Sequence, residues 1–544
     1  MKRFPVLILA AMFAAASACN YNKTISPDVL PEGGKSDITY QMLVYSFADS
    51  NGDRIGDFRG IINHLDYLEE MGVSAIWLSP IHKASSYHGY DVLDYDSINP
   101  LYGTEDDFKA LLDAAHNKGI KIYLDYVLNH TSKNHPWFLN AKKGADSQYR
   151  DYYIFSNNPA ADIAGGKIAM ISTEGSNGYD SGQWYSTGVG ATKYHSHFWT
   201  DWFADLNYGS AATCEQTGAF KAVCESADRW INMGVDGFRL DAVKHIYHNA
   251  GSNENPTFLK KFYEHCNASY KAAGREGDIY MVGEQLSDAW SVAPYYKGLP
   301  ALFEFSFWWT LRDAINGNKG NQFCSNVLNM HNNYKKYREN PIAATKLSNH
   351  DEDRTGSYLG KSANKEKLAA CVLLTCEGEP YIYQGEELGY YGVKTSGDEY
   401  VRTPILWSQD LSTAAIKGVN NKYDREMLVG DYAVDVQEYF PESVLNTYRT
   451  FGKLRKNYKA LCEGTMTPHP VFNNKNPLET SAAVWYMTKD DQTVLVLHNF
   501  SDKEICLDLP DDKLDKLIGV NGYSNKIMGS VISLSAYGTA VYLQ

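Results

Sequence analysis

The sequence predicts an α/β protein: a (β/α)8 TIM barrel with an inserted domain after strand 3 and a C-terminal antiparallel β-sandwich domain. Three observations lead to this fold. Short apolar runs alternate with helical stretches over most of the chain, a long connection rich in glycine, serine and asparagine interrupts them after the third run, and the last part changes to short β runs separated by turns. At 544 residues the chain exceeds one ordinary domain.

The chain begins with a candidate export signal. A basic start, Met1-Lys2-Arg3, precedes an apolar run that is too short to span a bilayer, and small residues then lead to Cys19. We expect a signal peptide over residues 1–19, with Cys19 as the lipidated N-terminus of an exported bacterial lipoprotein at the outer membrane, cell surface or periplasmic face. The alternative is ordinary cleavage that leaves a free cysteine. Residues 20–37 are polar and predict a linker.

Eight strand runs and the helices between them define the predicted barrel. The strands are Met42–Phe47, Ala75–Leu78, Ile120–Leu124, Phe238–Leu240, Ile279–Val282, Leu302–Phe305, Ala343–Leu347 and Tyr381–Tyr383. Helical stripes cover Asp57–Gly72, 104–118, 218–233, 256–273 and Ser443–Lys456. We therefore expect the barrel over 38–130 and 206–460, the inserted domain B over 131–205 and the C-terminal β domain over 461–544. Polar motifs follow several strands directly, where barrel active sites lie.

A loop after the first predicted strand has the pattern of a calcium site. Oxygen-bearing side chains stand at alternate positions, and a backbone carbonyl is available between the last two of them. The predicted Ca²⁺ ligands are Asp49, Asn51, Asp53, the carbonyl of Ile55, and Asp57. Arg54 stands where calcium loops usually have glycine. The alternative is an acidic turn that caps the next helix.

Two carboxylates at strand ends are candidates for acid–base chemistry. Asp241 follows Arg239 by two residues, so a permanent positive charge favours its ionised form and suits it to nucleophilic attack. An ion pair that merely closes a strand is the alternative. Glu284 follows the apolar run Tyr280–Gly283, where desolvation would raise its pKa toward the range of a general acid.

Four stretches together carry a resemblance to a known family. They are Asp125–His130, Gly237–His245, Val282–Glu284 and Leu347–Asp351. In order and approximate spacing they resemble the four signature regions of the α-amylase superfamily of glycoside hydrolases. The resemblance implies a retaining glycosidase with Asp241 as nucleophile, Glu284 as general acid/base and Asp351 as a third carboxylate that binds the reacting sugar. It also implies that Arg239, His130 and His350 line the same subsite.

Further residues bear on which bond is cut. Ala242 after the nucleophile resembles 1,4-cleaving members, whereas 1,6-cleaving members tend to carry valine. Lys244 and His245 resemble the pair that α-amylases use on the leaving-group side. His88 and Tyr90 resemble residues that contact the reacting glucose, and Tyr87 stands where exo-acting members carry an aspartate. A purely structural role for His88 is the alternative.

The resemblance also extends to metals. The loop from Asp49 to Asp57 is similar to a calcium site of oligo-1,6-glucosidase-like members. Asn129 and the carbonyl of His245 resemble two ligands of a second calcium, between barrel and inserted domain, whose other ligands the sequence pattern does not identify. The region Phe203–Asn207 matches no single branch of the superfamily.

Composition limits the partners. The net charge of −14 argues against nucleic acid, and 40 Tyr and 11 Trp supply aromatic faces for stacking on sugars. Disulfides remain possible, with Cys214 and Cys224 as the candidate pair. The C-terminal β domain is either the family's own domain, which we favour, or a starch-binding module.

The sequence thus predicts a lipid-anchored, secreted α-amylase-type hydrolase that cleaves internal α-1,4 links of starch, glycogen or maltooligosaccharides. Its expected partners are an α-glucan, the membrane through the lipid, and other glycan-uptake proteins. The alternatives are a neopullulanase, an oligo-1,6-glucosidase or α-glucosidase, or a glucosyltransferase of the superfamily. A glycan-binding protein on an inactive barrel is the non-enzymatic alternative.

Overall fold

The computed structural model describes residues 36–171, 183–198, 200–248, 252–472 and 479–544, with the backbone alone at 525–528. The signal peptide, Cys19 and nearly all of the predicted linker lie outside the described residues. Within those ranges, no helix is both long enough and apolar enough to cross a bilayer. Asp37, at the end of the predicted linker, is bound to the barrel by an ion pair with Arg455 (Oδ2 to Nη2, 2.6 Å).

A closed barrel of eight parallel strands forms the centre of the molecule, in the order β1-β15-β14-β13-β12-β11-β5-β2. The strands of the described chain are β1 (Ile38–Met42), β2 (Val73–Leu78), β3 (His82–Ala84), β4 (Val92–Ile98), β5 (Lys121–Tyr126), β6 (His130–Ser132), β7 (Phe155–Ser156), β8 (Trp184–Ser186), β9 (Lys193–His195), β10 (Phe203–Asp205), β11 (Gly237–Leu240), β12 (Tyr280–Gly283), β13 (Ala301–Glu304), β14 (Ile342–Lys346), β15 (Glu379–Tyr383), β16 (Thr465–Pro468), β17 (Ala482–Lys489), β18 (Gln492–Asn499), β19 (Ile505–Asp508), β20 (Leu517–Asn521), β21 (Ser524–Met528), β22 (Val531–Leu534) and β23 (Thr539–Leu543). The predicted fold class is confirmed.

The first barrel strand does not lie where the sequence predicted it. Strand β1 ends at Met42, and the apolar run that follows, Val44–Phe47, is a short helix. Both segments are fully buried, so hydrophobicity alone could not distinguish them. The strand instead contains Thr39 and Gln41, which pair with Tyr381 and Tyr383.

Helices connect the strands around the barrel. They are α1 (Val44–Phe47), α2 (Phe58–Asn63), α3 (Leu65–Glu70), α4 (Glu105–Asn117), α5 (Pro136–Ala141), α6 (Pro159–Ala164), α7 (Gly218–Met233), α8 (Glu254–Ala272), α9 (Ala289–Val292), α10 (Phe305–Gly317), α11 (Phe323–Tyr334), α12 (Thr355–Tyr358), α13 (Ala363–Thr375), α14 (Asp398–Val401), α15 (Val434–Tyr439), α16 (Val444–Asn457) and α17 (Lys459–Glu463). Helix α4 begins with a capping box between Thr104 and Asp107, and α7 begins at the N-cap Thr217. The predicted helix over 57–72 is broken at His64 into α2 and α3.

The connection after the third barrel strand, β5, carries a small antiparallel unit. Strands β6 and β10 pair with His130 opposite Asp205, and β7, β9 and β8 form a second sheet. Because β6 starts four residues after β5 ends, this unit stands directly over the C-terminal end of the barrel. The inserted segment thus forms one wall of the barrel mouth.

The C-terminal residues form two facing antiparallel sheets, β16-β17-β18-β23-β20 and β19-β22-β21. Val484 and Leu497 from the first sheet share a buried apolar core with Leu507 and Ile532 from the second, as in a β-sandwich. The eight cysteines in the described ranges are free thiols, so the possible disulfide between Cys214 and Cys224 is not formed.

Candidate active site

Neighbouring barrel strands place two of the predicted carboxylates side by side. Asp241 follows the last residue of β11 and Glu284 follows the last residue of β12, and these last residues, Leu240 and Gly283, are register partners. Asp351 lies on the loop after β14. All three therefore stand at the C-terminal end of the barrel, where parallel strands deliver catalytic groups.

The buried side chain of Arg239 contacts the carboxylates of the site. Its side chain is 1% exposed, and Nη1 donates to Asp241 Oδ1 at 2.7 Å. The same nitrogen donates to both oxygens of Asp125, at 2.9 and 3.1 Å, because Asp125 is the register partner of Arg239 on β5. Glu284 is more distant, with Oε2 3.9 Å from Nη2. One guanidinium thus contacts three carboxylates.

Glu284 has the environment of a general acid. Burial raises the pKa of Glu284 to about 7; Arg239 opposes this effect, while the charges of Asp241 and Asp351 add to it. The backbone N–H of Ala242 donates to Glu284 Oε2 at 3.0 Å. Ala242 has a φ of 47°, which is uncommon for a residue with a Cβ, and this strained turn aims its N–H at the acid.

Asp351 has the opposite electrostatic environment. Its side chain is 44% exposed, and Oδ1 lies 3.0 Å from Arg402 Nη2 and 3.3 Å from Lys394 Nζ. Partial desolvation would raise the pKa of Asp351, but the charges of Arg402 and Lys394 outweigh it and hold the pKa well below its usual range. This carboxylate is therefore ionised at any physiological pH.

A chain of hydrogen bonds links the two sides of the site. The hydroxyl of Tyr90 lies 2.9 Å from Asp125 Oδ2 and 2.6 Å from His350 Nε2, and His350 Nδ1 lies 2.8 Å from the side-chain amide of Gln41. Burial lowers the pKa of His350 far below its ordinary value, so the ring is neutral. The network fixes the orientation of Tyr90 and His350 before any ligand binds.

These groups border one cleft of about 480 Å³, within the size range of small-molecule sites. Its lining residues are His88, Tyr90, His130, Phe198, Thr200, Trp202, Phe203, Asp241, Ala242, Lys244, His245, Glu284, Leu286, Asp351, Asp398 and Arg402. Of the predicted substrate-binding residues, Arg239 and His350 lie behind this surface and contact the carboxylates and Tyr90 instead.

Lys244 and His245 lie on the side of the cleft near Glu284. Lys244 Nζ donates to the carbonyl of Leu286 at 2.7 Å. The ring of His245 packs on His197 with centroids 3.8 Å apart, and burial lowers the pKa of His245 far below its ordinary value. His88 is packed against Tyr90, and His130 Nε2 lies 3.2 Å from the carbonyl of Tyr90.

The sequence patterns assign no role to four residues of this site. Asp125 opens the first of the four stretches that resemble the family, and it anchors both Arg239 and Tyr90. Arg402, the main partner of Asp351, lies in the irregular stretch after β15, where no periodicity marks it. Trp202 and Phe198, aromatic residues on the inserted segment, were missed for the same reason. The strand-end position of Asp125, opposite Arg239, was the one available signal.

The predicted calcium loop is a tight turn of acidic side chains. Asp49 accepts hydrogen bonds from the N–H groups of Asn51, Gly52 and Arg54, and Asp57 accepts from Gly60 as the N-cap of α2. Arg54 has a φ of 70°, the left-handed conformation for which glycine is preferred, and its side chain turns away to donate to the carbonyl of Leu411. The donor set is entirely oxygen, as Ca²⁺ requires.

The two residues named for a second calcium lie against each other. The side-chain amide nitrogen of Asn129 donates to the carbonyl oxygen of His245 at 2.7 Å, and the amide oxygen of Asn129 lies 3.1 Å from His130 Nδ1. The second calcium stays a prediction.

The carboxylates match a known chemistry. Two carboxyl groups at one cleft, one beside an arginine and one whose pKa is raised by burial, are the groups with which glycosidases break a glycosidic bond. Together with the barrel, they define a glycoside hydrolase.

Comparisons with known proteins agree. Residues 41–464 match the family model "Alpha amylase, catalytic domain", and residues 483–541 match the "Alpha-amylase SusG C-terminal domain". The chain is 43% identical to alpha-amylase SusG of Bacteroides thetaiotaomicron over 646 residues, covering 95% of this chain and 93% of the relative. It is 35% identical to alpha-amylase 3 of Dictyoglomus thermophilum, covering 86% and 85%. A crystal structure of an alpha-amylase from H. orenii superimposes with a TM-score of 0.78 at 29% identity, covering 95% and 100%.

The chain belongs to the α-amylase family and is a glycoside hydrolase of the α-amylase type. The C-terminal domain matches a domain of this family, in agreement with the interpretation that the sequence favoured.

Proposed function

We propose that this protein hydrolyses internal α-1,4-glucosidic bonds of starch, glycogen or maltooligosaccharides with retention of configuration. The observation that supports retention is the register of β11 and β12. Adjacent strands lie about 4.8 Å apart. Asp241 and Glu284 each follow a register partner by one residue, so their backbones lie about one strand spacing apart, which suits the roughly 5 Å between the carboxyl groups of retaining enzymes.

In the first step, Glu284 donates its proton to the glycosidic oxygen while Asp241 attacks the anomeric carbon. A covalent glycosyl-enzyme forms and the leaving chain departs. Glu284, now ionised, removes a proton from water, which releases the sugar and restores both carboxyl groups. Asp351 and Arg402, joined at 3.0 Å, bind hydroxyl groups of the reacting sugar. Arg239 donates to Asp241 Oδ1 at 2.7 Å and holds this carboxylate in position.

Two individual residues, Ala242 and Tyr87, support specificity for internal α-1,4 bonds. Ala242 leaves less bulk beside the nucleophile than valine would. Tyr87, whose hydroxyl accepts from Arg402 Nη1 at 3.2 Å, stands at the sequence position where exo-acting members carry an aspartate. Two relatives named alpha-amylases favour the same choice. A neopullulanase, an oligo-1,6-glucosidase, an α-glucosidase or a glucosyltransferase would use the same carboxylates.

A time course of products from maltoheptaose and panose, with protein lacking residues 1–19, tests this specificity. Several mid-length maltooligosaccharides should appear early, while panose is cut slowly. Glucose as the sole first product, or rapid cleavage of panose, would replace the proposal with an exo-glucosidase or a neopullulanase. Proton NMR of the first product should show the α-anomer, and a β-anomer would contradict retention.

Asp241→Asn should lower turnover by several orders of magnitude and leave oligosaccharide binding measurable. The matched control is Asp313→Asn, a carboxylate on α10 whose side chain is 71% exposed and paired with Arg312. It should keep full activity. An active Asp241→Asn variant would contradict the assignment of the nucleophile, and binding without turnover in the wild type would favour the inactive-barrel alternative.

We further propose that the loop from Asp49 to Asp57 holds one Ca²⁺. Asp49, Asn51, Asp53, the carbonyl of Ile55 and Asp57 would be its ligands, and the left-handed Arg54 allows the sharp turn that such loops need. The ion would stabilise the loop between β1 and α2 and would take no part in the chemistry.

We also propose export as a lipoprotein through Cys19, with membrane attachment close to other glycan-uptake proteins. The support is the N-terminal sequence pattern, and digestion outside the cytoplasm suits a polymer too large to import. Labelling cells with a fatty-acid analogue should modify the wild type and not Cys19→Ala. Equal labelling, or none in the wild type, would contradict the lipid anchor.

A further inference from the structure

A buried cluster of histidines lies beside the cleft and takes no part in the proposed reaction. His195 is on β9 and Asp205 on β10 of the inserted segment, whereas His248 is on the loop after barrel strand β11. All three are at most 4% exposed. Their ligand atoms lie within 4.8 Å of one another, and they are the one group of this kind among the residues that the structure describes.

The geometry is close to that of a metal site. Asp205 Oδ2 lies 2.7 Å from His195 Nδ1 and 3.5 Å from His248 Nε2. Ligand atoms around a tetrahedral zinc ion lie roughly 3.3 Å apart, since each is about 2.0–2.2 Å from the metal. The other oxygen, Asp205 Oδ1, accepts from the backbone N–H of His197 at 3.2 Å, which is the outer hydrogen bond that orients a ligating carboxylate.

Two further buried polar atoms belong to residues next to His195 in the sheet. Gln183 Oε1 and Ser196 Oγ are buried and, within the described part of the chain, accept or donate no hydrogen bond. Both belong to the same sheet region, because Ser196 follows β9 and its N–H donates to the carbonyl of Gln183. Buried polar atoms without partners often mark an unplaced ion or water.

We propose that His195, Asp205 and His248 bind one divalent transition cation, with Zn²⁺ as the best match, and that water completes its shell. Two imidazoles and one carboxylate suit zinc, whereas calcium takes six to eight oxygen ligands. The ion joins the inserted segment to the loop that carries Lys244 and His245. It is distinct from the proposed calcium loop and from the catalytic carboxylates.

The test uses the mature chain after removal of metals with a chelator. Isothermal titration with Zn²⁺ should give one tight site per chain, and the melting temperature should rise with Zn²⁺ concentration. His248→Gln should weaken binding by at least about 10- to 100-fold, the cost typical of losing even an outer partner. His265→Gln is the matched control, because it removes a surface histidine that is also paired with an aspartate, Asp228, and it should bind as the wild type does.

X-ray absorption at the zinc edge of the wild type provides a second measurement, which needs no variant. It should show a first shell with two imidazoles and oxygen. Failure to bind Zn²⁺, a shell of oxygen alone, or unchanged affinity in folded His248→Gln would overturn the proposal. Hydrolysis of maltoheptaose, measured in parallel, reports on the proposed function independently.

Discussion

The role of Glu284 as proton donor can be tested through its raised pKa. The ordinary pKa of a glutamate is near 4.5, and burial raises that of Glu284 to about 7. The difference corresponds to roughly 3 kcal/mol against the ionised form at this site. Because cleavage needs the protonated form, kcat on maltoheptaose should fall about tenfold per pH unit above pH 7.

Glu284→Gln removes this proton and keeps the shape of the side chain. Turnover of maltoheptaose should fall by about 10²–10⁴-fold, as expected for loss of a general acid. α-Maltosyl fluoride needs little protonation of its leaving group, so its first step should be affected much less. The glycosyl-enzyme should then accumulate, and azide, a nucleophile that needs no base, should restore turnover.

The comparison of maltoheptaose with α-maltosyl fluoride tests whether Glu284 is the general acid. Equal losses on maltoheptaose and on the fluoride would mean that Glu284 acts on binding or folding and not as the acid. A wild-type rate that stays constant from pH 7 to pH 9 would contradict the raised pKa. The melting temperature of the variant, measured alongside, separates a folding defect from a chemical one.

Three further predictions concern the surrounding structure. Arg402→Met should lower kcat/KM by about 10- to 100-fold, because the ionised Asp351 loses a charged partner. The loss of that positive charge should also move the acid limb of the pH profile to higher pH. An unchanged acid limb would contradict the pairing of Arg402 with Asp351. A chelator should lower the melting temperature of the wild type, and added Ca²⁺ should restore it. Neither treatment should change the melting temperature of Asp53→Asn. If neither treatment changes that of the wild type, the loop from Asp49 to Asp57 is only a turn. Burial raises the pKa of Glu366 to about 8, so folding takes up a proton above pH 4.5 and the stability of the protein declines toward pH 8. The Glu366→Gln variant should therefore be more stable than the wild type by about 3 kcal/mol at pH 7 and by less at pH 5. A stability difference that does not depend on pH would contradict this prediction.

Much of the fold was predictable because the barrel repeats one pattern. Each buried parallel strand is a short apolar run, and the motifs at their ends fixed the positions of Asp241, Glu284 and Asp351. The first strand was the exception. Its apolar neighbour, Val44–Phe47, is equally buried but helical, and the periodicity of apolar residues cannot distinguish a helix from a strand in so short a segment.

The electrostatic partners were harder to predict, for a physical reason. Arg402 reaches Asp351 from a loop 51 positions further along the chain, without the regular hydrogen bonding that gives strands and helices their period. The histidine cluster likewise joins three loop or edge positions that are adjacent only after the inserted segment has folded onto the barrel. Contacts of this kind depend on tertiary structure, which local patterns do not encode.

The different roles of the catalytic carboxylates follow from how the barrel distributes one positive charge. Strand register puts Arg239 opposite Asp125, whose two oxygens fix the guanidinium, so that it contacts Asp241 at 2.7 Å but Glu284 at only 3.9 Å. Burial raises the pKa values of Asp125 and Glu284 to about 7 even though Arg239 opposes the shift. Asp241 thus takes a short hydrogen bond from the arginine, whereas Glu284 lies further from it and is influenced more by burial. The same register that brings the two catalytic groups together therefore gives them different surroundings, which suit one to be the nucleophile and the other to be the acid.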